Sequence, residues 1–178
     1  MEGSRTSLSI SPRDHVSGPP TAPVTLVEYG DFECPHCGRA YPLIEEARRE
    51  LGDSLRFVFR HYPINVQHDH AMLAAEASEA AAAQGKFWEM HHLLFTHQDA
   101  LDRDSLLRYA ADAGADPARV AEALDGGVYR ERVLEDVASG EENGVIWTPT
   151  FFINGTRFGY AADLDALIGA LRAARARV

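Results

Sequence analysis

Only two cysteines occur among 178 residues, which excludes the densely cross-linked scaffold of a small secreted domain. Cationic residues are scarce as well: 17 Lys and Arg stand against 27 Asp and Glu, a formal net charge of −10. That balance argues against sequence-independent binding to nucleic acid or anionic lipid, both of which want clustered Lys and Arg. No run approaches the ~20 apolar residues that span a bilayer. The opening stretch MEGSRTSLSISPRDHVSGPP has no basic head, apolar middle or small-residue cleavage site. It does not read as a secretory signal, so the expectation is a cytoplasmic chain unless a leader has been removed. Internal repeats and low-complexity blocks are absent too. What is present, 46% hydrophobic and 25% charged residues, suits one well-buried domain.

Residues 1–22 are rich in Ser, Pro and Gly and are expected to form a flexible tail, leaving 23–178 as the domain. VTLVEYG alternates and is β-rich, which predicts a strand over 24–29. After the cysteine pair, Ala40, Leu43, Ile44, Ala47 and Leu51 recur at helical spacing up to a stop at Gly52. LRFVFRHYP reads as a second strand. A helical block then fills about 66–143, including an Ala-rich helix, the aromatic KFWEMHHLLF, and segments opened by capping Asp residues. Strand signals return in TPTFFINGTRFGY around Asn154-Gly155, a strong hairpin cue. A last helix carries Leu164, Leu167, Ile168 and Leu171. Strand, helix and strand in succession imply a right-handed parallel crossover. The order as a whole predicts an α/β fold: a small mixed sheet flanked by helices, with an inserted helical subdomain.

Both cysteines fall in DFECPHCGRAYP, residues 31–42, between the first strand and its helix. Pro35 suits the first helical position, where a missing N–H costs nothing. Cys34 would then sit at a helix N-terminus, where free N–H groups and the macrodipole favour a thiolate. His36 can add a positive charge or a donor nearby. Cys37, one turn further in, is placed to resolve a mixed disulfide. A structural zinc site needs four ligands and there is no second cysteine pair; His61, His68, His70, His91, His92 and His97 are possible contributors, most of them in predicted helices. An unreactive structural pair is the other alternative.

VEYGDFECPHCG, followed much later by TPTFFING with a helical block between, resembles the DsbA-like branch of the thioredoxin superfamily from about Val24 to the C-terminus. QGKFWEMHHLLF is similar to the insertion of its bacterial members. The resemblance implies a redox-active Cys34–Cys37 disulfide facing Pro149 as a cis-proline, with Thr148 presenting its backbone to a substrate strand. It also implies that Glu28, an acid in an apolar strand, is the buried group that assists proton transfer at Cys37. Trp147 stands where many relatives have glycine; inward packing is expected, with a wall beside Cys34 as the alternative.

The expectation is therefore a thiol-disulfide oxidoreductase acting on protein thiols or small thiols, with an unidentified recycling partner and no metal or organic cofactor. Alternatives are a glutathione-dependent transferase or isomerase on the same fold, and a non-catalytic chaperone-like binding module. A histidine between the cysteines favours an oxidant, whereas a reducing cytosol would hold the pair as a dithiol.

Overall fold

The computed structural model describes residues 8–158 and 164–177. The start of the expected tail (1–7) and the end of the expected hairpin segment (159–160) lie outside them. The elements run β1 His15–Ser17, β2 Val24–Gly30, α1 Pro35–Leu51, a 3-10 turn Gly52–Ser54 and β3 Leu55–His61. Next come α2 Ala71–Ala82, α3 Phe87–Thr96, α4 Arg103–Asp112, α5 Pro117–Asp125 and α6 Arg130–Glu142. The chain closes with β4 Thr150–Ile153, β5 Thr156–Arg157 and α7 Leu164–Ala176.

The five strands form one mixed sheet in the order β1-β3-β2-β4-β5. β2 and β3 are parallel and in register from Val24↔Leu55 to Gly30↔His61, joined by α1. The other three pairings are antiparallel. Alternation along the strands divides the core into two faces. Val24, Leu26, Phe57, Phe59 and Phe151 join one apolar cluster with α1, α7 and the inserted helices. Val27, Tyr29, Val58 and Phe152 form a second with Val145 on the other face. Both faces of β2 are thus covered, and each buried aliphatic or Phe side chain contributes roughly 1.5–3 kcal/mol. Glu28 shares the parity of Leu26 and lies in the same buried strand, 2% exposed.

The insertion between β3 and β4 comprises α2 to α6. α2 buries Ala71, Ala74, Ala75, Ala77, Ala80 and Ala81, small side chains that let it contact α3, α4, α5 and α6 closely. Asp102 caps α4 by accepting from Ser105 N at 3.1 Å. Asp116 caps α5.

One expectation needs correcting. The segment from residue 8 onward is not a loose tail: residues 15–17 pair with β3, and Leu8, Ile10 and Val16 pack against the second core cluster. Arg60, buried on β3, donates to both carboxylate oxygens of Asp14 at 2.7 and 3.0 Å. A Ser/Pro/Gly-rich composition conceals that a three-residue strand and one buried ion pair suffice to anchor the segment.

Candidate active site

Gly30, the last residue of β2, has no room for a side chain: a Cβ would lie 2.5 Å from the Phe59 ring and 3.2 Å from Glu28 Oε1. The chain then turns. Asp31 O accepts from Cys34 N at 3.1 Å, and Asp31 Oδ1 accepts from Glu33 N at 2.8 Å. Asp31 Oδ2 reaches the loop after β3, accepting from Ile64 N at 2.9 Å and bonding His68 Nδ1 at 2.7 Å. Burial alone would lower the His68 pKa, but the Asp31 carboxylate holds it above the usual value.

Cys34 is the N-cap of α1 in extended conformation (φ −69°, ψ 121°), with Pro35 at the first helical position and no side-chain cap. The free N–H groups of the first turn therefore serve the sulfur. Its pKa falls to about 5: the Cys37 thiol hydrogen-bonds to it and outweighs burial, helped by Thr148 and by the backbone N–H groups of Cys37 and His36. Cys37 is fully buried, and desolvation, with the neighbouring Cys34 and Glu28, raises its pKa well above normal. Burial also pushes Glu28 up to about 8, with a further contribution from the Cys34 charge. Glu28 Oε1 lies buried with no hydrogen-bond partner among the described residues. Both cysteines are free thiols.

Across from them the Thr148–Pro149 peptide bond is cis, and Thr148 O lies 3.4 Å from Cys34 Sγ. Thr148 Oγ1 is buried without a partner among the described residues. The structure thus brings Cys34, Cys37, Glu28, Thr148 and Pro149 together. Pro35 and His36 are exposed on the rim. His36 Nδ1 faces Arg39 Nη2 at 2.6 Å; a guanidinium only donates, so Nδ1 accepts, and it is the backbone N–H of His36 that acts on Cys34.

Trp147 is partly buried, and the Arg157 guanidinium lies 5.2 Å from its ring centroid. The three residues after it, Thr148 to Thr150, are buried, and Ile146 before it is 68% exposed.

Sequence reasoning missed Asp31, His68 and Gln98. Gln98 follows α3 and donates through Nε2 to Phe32 O and Cys34 O, both at 2.8 Å. Its Oε1 occupies the space beside Gly38, 2.0 Å from where a Cβ would stand. Asp31 had a signal, an acid directly between strand and CxxC; Gln98 had none. Among the described residues, the grouping of three possible metal ligands is His15, His61 and Glu79, and it includes neither cysteine.

A strand, a turn with two thiols of opposite pKa, a helix and a facing cis-proline loop define a dithiol site of the thioredoxin fold. The chain belongs to the thioredoxin family: the family model described as Thioredoxin matches residues 10–173. Its helical insertion and structural neighbours make it DsbA-like. BdbD from Bacillus subtilis superimposes with TM-score 0.80 at 27% identity, over 92% of this chain and 94% of that one. Alpha-DsbA1 from Wolbachia pipientis gives 0.80 at 21% identity, over 96% and 94%, a likeness of fold alone. Among curated proteins, Na(+)/H(+) antiporter NhaA 1 of Mycolicibacterium gilvum (strain PYR-GCK) is 48% identical over 167 residues, 92% of this chain and 27% of that protein. The chain spans about a quarter of the length of the curated relatives it matches.

Proposed function

We propose that this chain exchanges disulfides with protein thiols through Cys34 and Cys37, and that the pair tends toward dithiol oxidation. A substrate thiolate attacks Cys34 of the intramolecular disulfide, forming a mixed disulfide and expelling Cys37 as a thiolate. Glu28 supplies the proton that Cys37 takes up. A second substrate thiolate then attacks the substrate sulfur and releases Cys34 as a thiolate. Two electrons pass from the substrate dithiol to the pair. In the reverse direction Cys37 attacks the mixed disulfide and Glu28 accepts its proton.

One observation carries this reading: neighbouring sulfurs are pushed in opposite directions, Cys34 down to about 5 and Cys37 well above normal. A low-pKa sulfur is a good leaving group, and a stabilised thiolate makes the disulfide more oxidising. The reaction needs no metal or organic cofactor, because the disulfide itself carries the electrons; a recycling partner must restore it. Thr148 O, beside Cys34, is the acceptor for a substrate main-chain N–H, and Trp147 with Ile146 forms one rim of the groove.

The curated relatives bear the name of an antiporter, but this chain, aligned to about a quarter of their length, carries the thioredoxin model over residues 10–173, and among the described residues no helix is long and apolar enough to cross a membrane. We therefore assign this chain the thiol chemistry rather than ion exchange. A glutathione-dependent transferase or isomerase is disfavoured by the intact cysteine pair. The test is Cys34→Ser, assayed by oxidation of a dithiol peptide and by insulin reduction. Both activities are expected to vanish, while Cys37→Ser should accumulate a mixed disulfide at Cys34. Exchange that survives Cys34→Ser would sink the reading; a parent chain that binds protein but exchanges no disulfide would be a binding module.

A further inference from the structure

We propose that His15, His61 and Glu79 form a binding site for a divalent transition-metal ion of the zinc class. The three side chains come from β1, β3 and α2, far apart in sequence. The Nε2 atoms of both rings converge on one oxygen, Glu79 Oε1, at 2.6 Å for His15 and 2.8 Å for His61. All three ligand atoms lie within 4.8 Å of one another. Two imidazoles and a carboxylate are a donor set that zinc accepts with a further position left open. Magnesium and calcium prefer oxygen ligands, so the nitrogen donors select against them.

The rings are held in place by aromatic packing. His15 lies flat on Phe87, centroids 3.5 Å apart, and His61 stands edge-on to Phe59 at 5.5 Å. Such a shell fixes ligand orientation and keeps bulk water away. His61 and Glu79 side chains are 1% and 7% exposed, while His15 at 13% gives the route of entry. Ligand atoms ~2.1 Å from a tetrahedral ion stand ~3.4 Å apart. The carboxylate must therefore withdraw by about 0.8 Å from the His15 ring and about 0.6 Å from the His61 ring. The proton on each Nε2 moves to Nδ1 or leaves to solvent as the ion enters, and no electrons are transferred.

Two features oppose the ion. Arg132 Nε is 4.0 Å from the same Glu79 oxygen, and His61 Nδ1 is buried without a partner among the described residues. The site should accordingly bind more weakly than a closed four-ligand zinc centre. Bound metal would fasten edge strand β1 to the helical insertion.

The test uses the full chain with Cys34→Ser and Cys37→Ser, so that thiols take no part. Co2+ serves as the spectroscopic probe and Zn2+ as its competitor. One equivalent of Co2+ should bind with visible d–d absorption and no thiolate charge-transfer band, and Zn2+ should displace it. Zn2+ at a hundredfold excess over its Kd should raise the Tm by several degrees, since that excess corresponds to about 2.7 kcal/mol. His15→Gln, at the accessible edge, and Glu79→Gln should each weaken binding at least tenfold. A folded His15→Gln protein that binds Co2+ as tightly as its parent would overturn the assignment. So would the absence of stoichiometric binding, which would leave the three residues as a hydrogen-bonded tie.

Discussion

Cys34 Sγ and Thr148 O stand 3.4 Å apart although 114 residues separate them in sequence. As a thiol, Cys34 donates to that carbonyl; as a thiolate it has no hydrogen to give. The state of that sulfur therefore decides whether Thr148 O receives a hydrogen from it.

The Cys34 pKa should respond to its donors in a definite order. Hydrogen bonds to charged groups are worth ~1.5–3 kcal/mol, or about one to two pKa units. Cys37→Ala removes the leading donor and should raise the Cys34 pKa from about 5 by roughly that amount. Cys37→Ser keeps a hydroxyl and should raise it less. Thiolate absorbance at 240 nm against pH checks both; an unchanged pKa in Cys37→Ala would show that the Cys37 thiol is not the donor.

Thr148→Val should raise the same pKa by about one unit while leaving the fold intact, because the hydroxyl helps to hold that pKa down and has no hydrogen-bond partner of its own to lose among the described residues. The reduction potential should fall in step, since a less stable thiolate makes a weaker oxidant. A wild-type potential near that of thioredoxin, ~−270 mV, would contradict the oxidant assignment. An unchanged potential in Thr148→Val would remove the hydroxyl from the set of donors.

Much of this site was legible in the sequence because its signals are local. A β-rich heptad, a proline after a cysteine and a helical repeat place Cys34 at a helix start without any tertiary information. Glu28 was legible as an acid in an apolar strand. Gln98 was not, because its two hydrogen bonds go to main-chain carbonyls 64 and 66 residues away, and no composition or period records such a pairing. β1 was missed for a similar reason: its order comes from β3 and the Asp14–Arg60 pair.

Glu28 and Cys34 should act on the pH dependence of the reduced protein in opposite senses. Its carboxyl keeps its proton to about 8 in the fold but releases it near 4.5 when unfolded. A raised carboxylate pKa means that the native state holds the proton longer, so stability declines as pH rises from about 4.5 to about 8. Cys34 acts in the opposite sense. Its depressed pKa contributes stability that is complete above the unfolded value of 9.0 and is lost as pH falls to about 5. Glu28→Gln should remove the first slope, stabilising the reduced protein at pH 7 by up to ~3 kcal/mol. It should also slow exchange at the Cys37 step. Urea unfolding across pH 5–8 tests the first effect and stopped-flow exchange the second; if the pH dependence of exchange is unchanged, the proton relay is wrong.

Gly38 and Gln98 should behave as one unit. In a helix Gly→Ala alone gains about 1 kcal/mol, yet a Cβ at position 38 would stand 2.0 Å from Gln98 Oε1 and 2.7 Å from its Cδ. Gly38→Ala should thus displace the Gln98 side chain, taking its Nε2 donor from Phe32 O and leaving Cys34 O with the backbone N–H of residue 38 alone. The loss of two hydrogen bonds, ~0.5–1.5 kcal/mol each, should make the substitution destabilising overall. Gln98→Ala should lose a comparable amount. The double variant should be more stable than the sum of the two losses, since with the amide gone the new methyl group meets open space and keeps its helical advantage. A double-mutant cycle by urea denaturation reads this coupling directly. Additive losses would mean that the glutamine does not press on Gly38, and the clamp between the insertion and the CxxC turn would have to be abandoned.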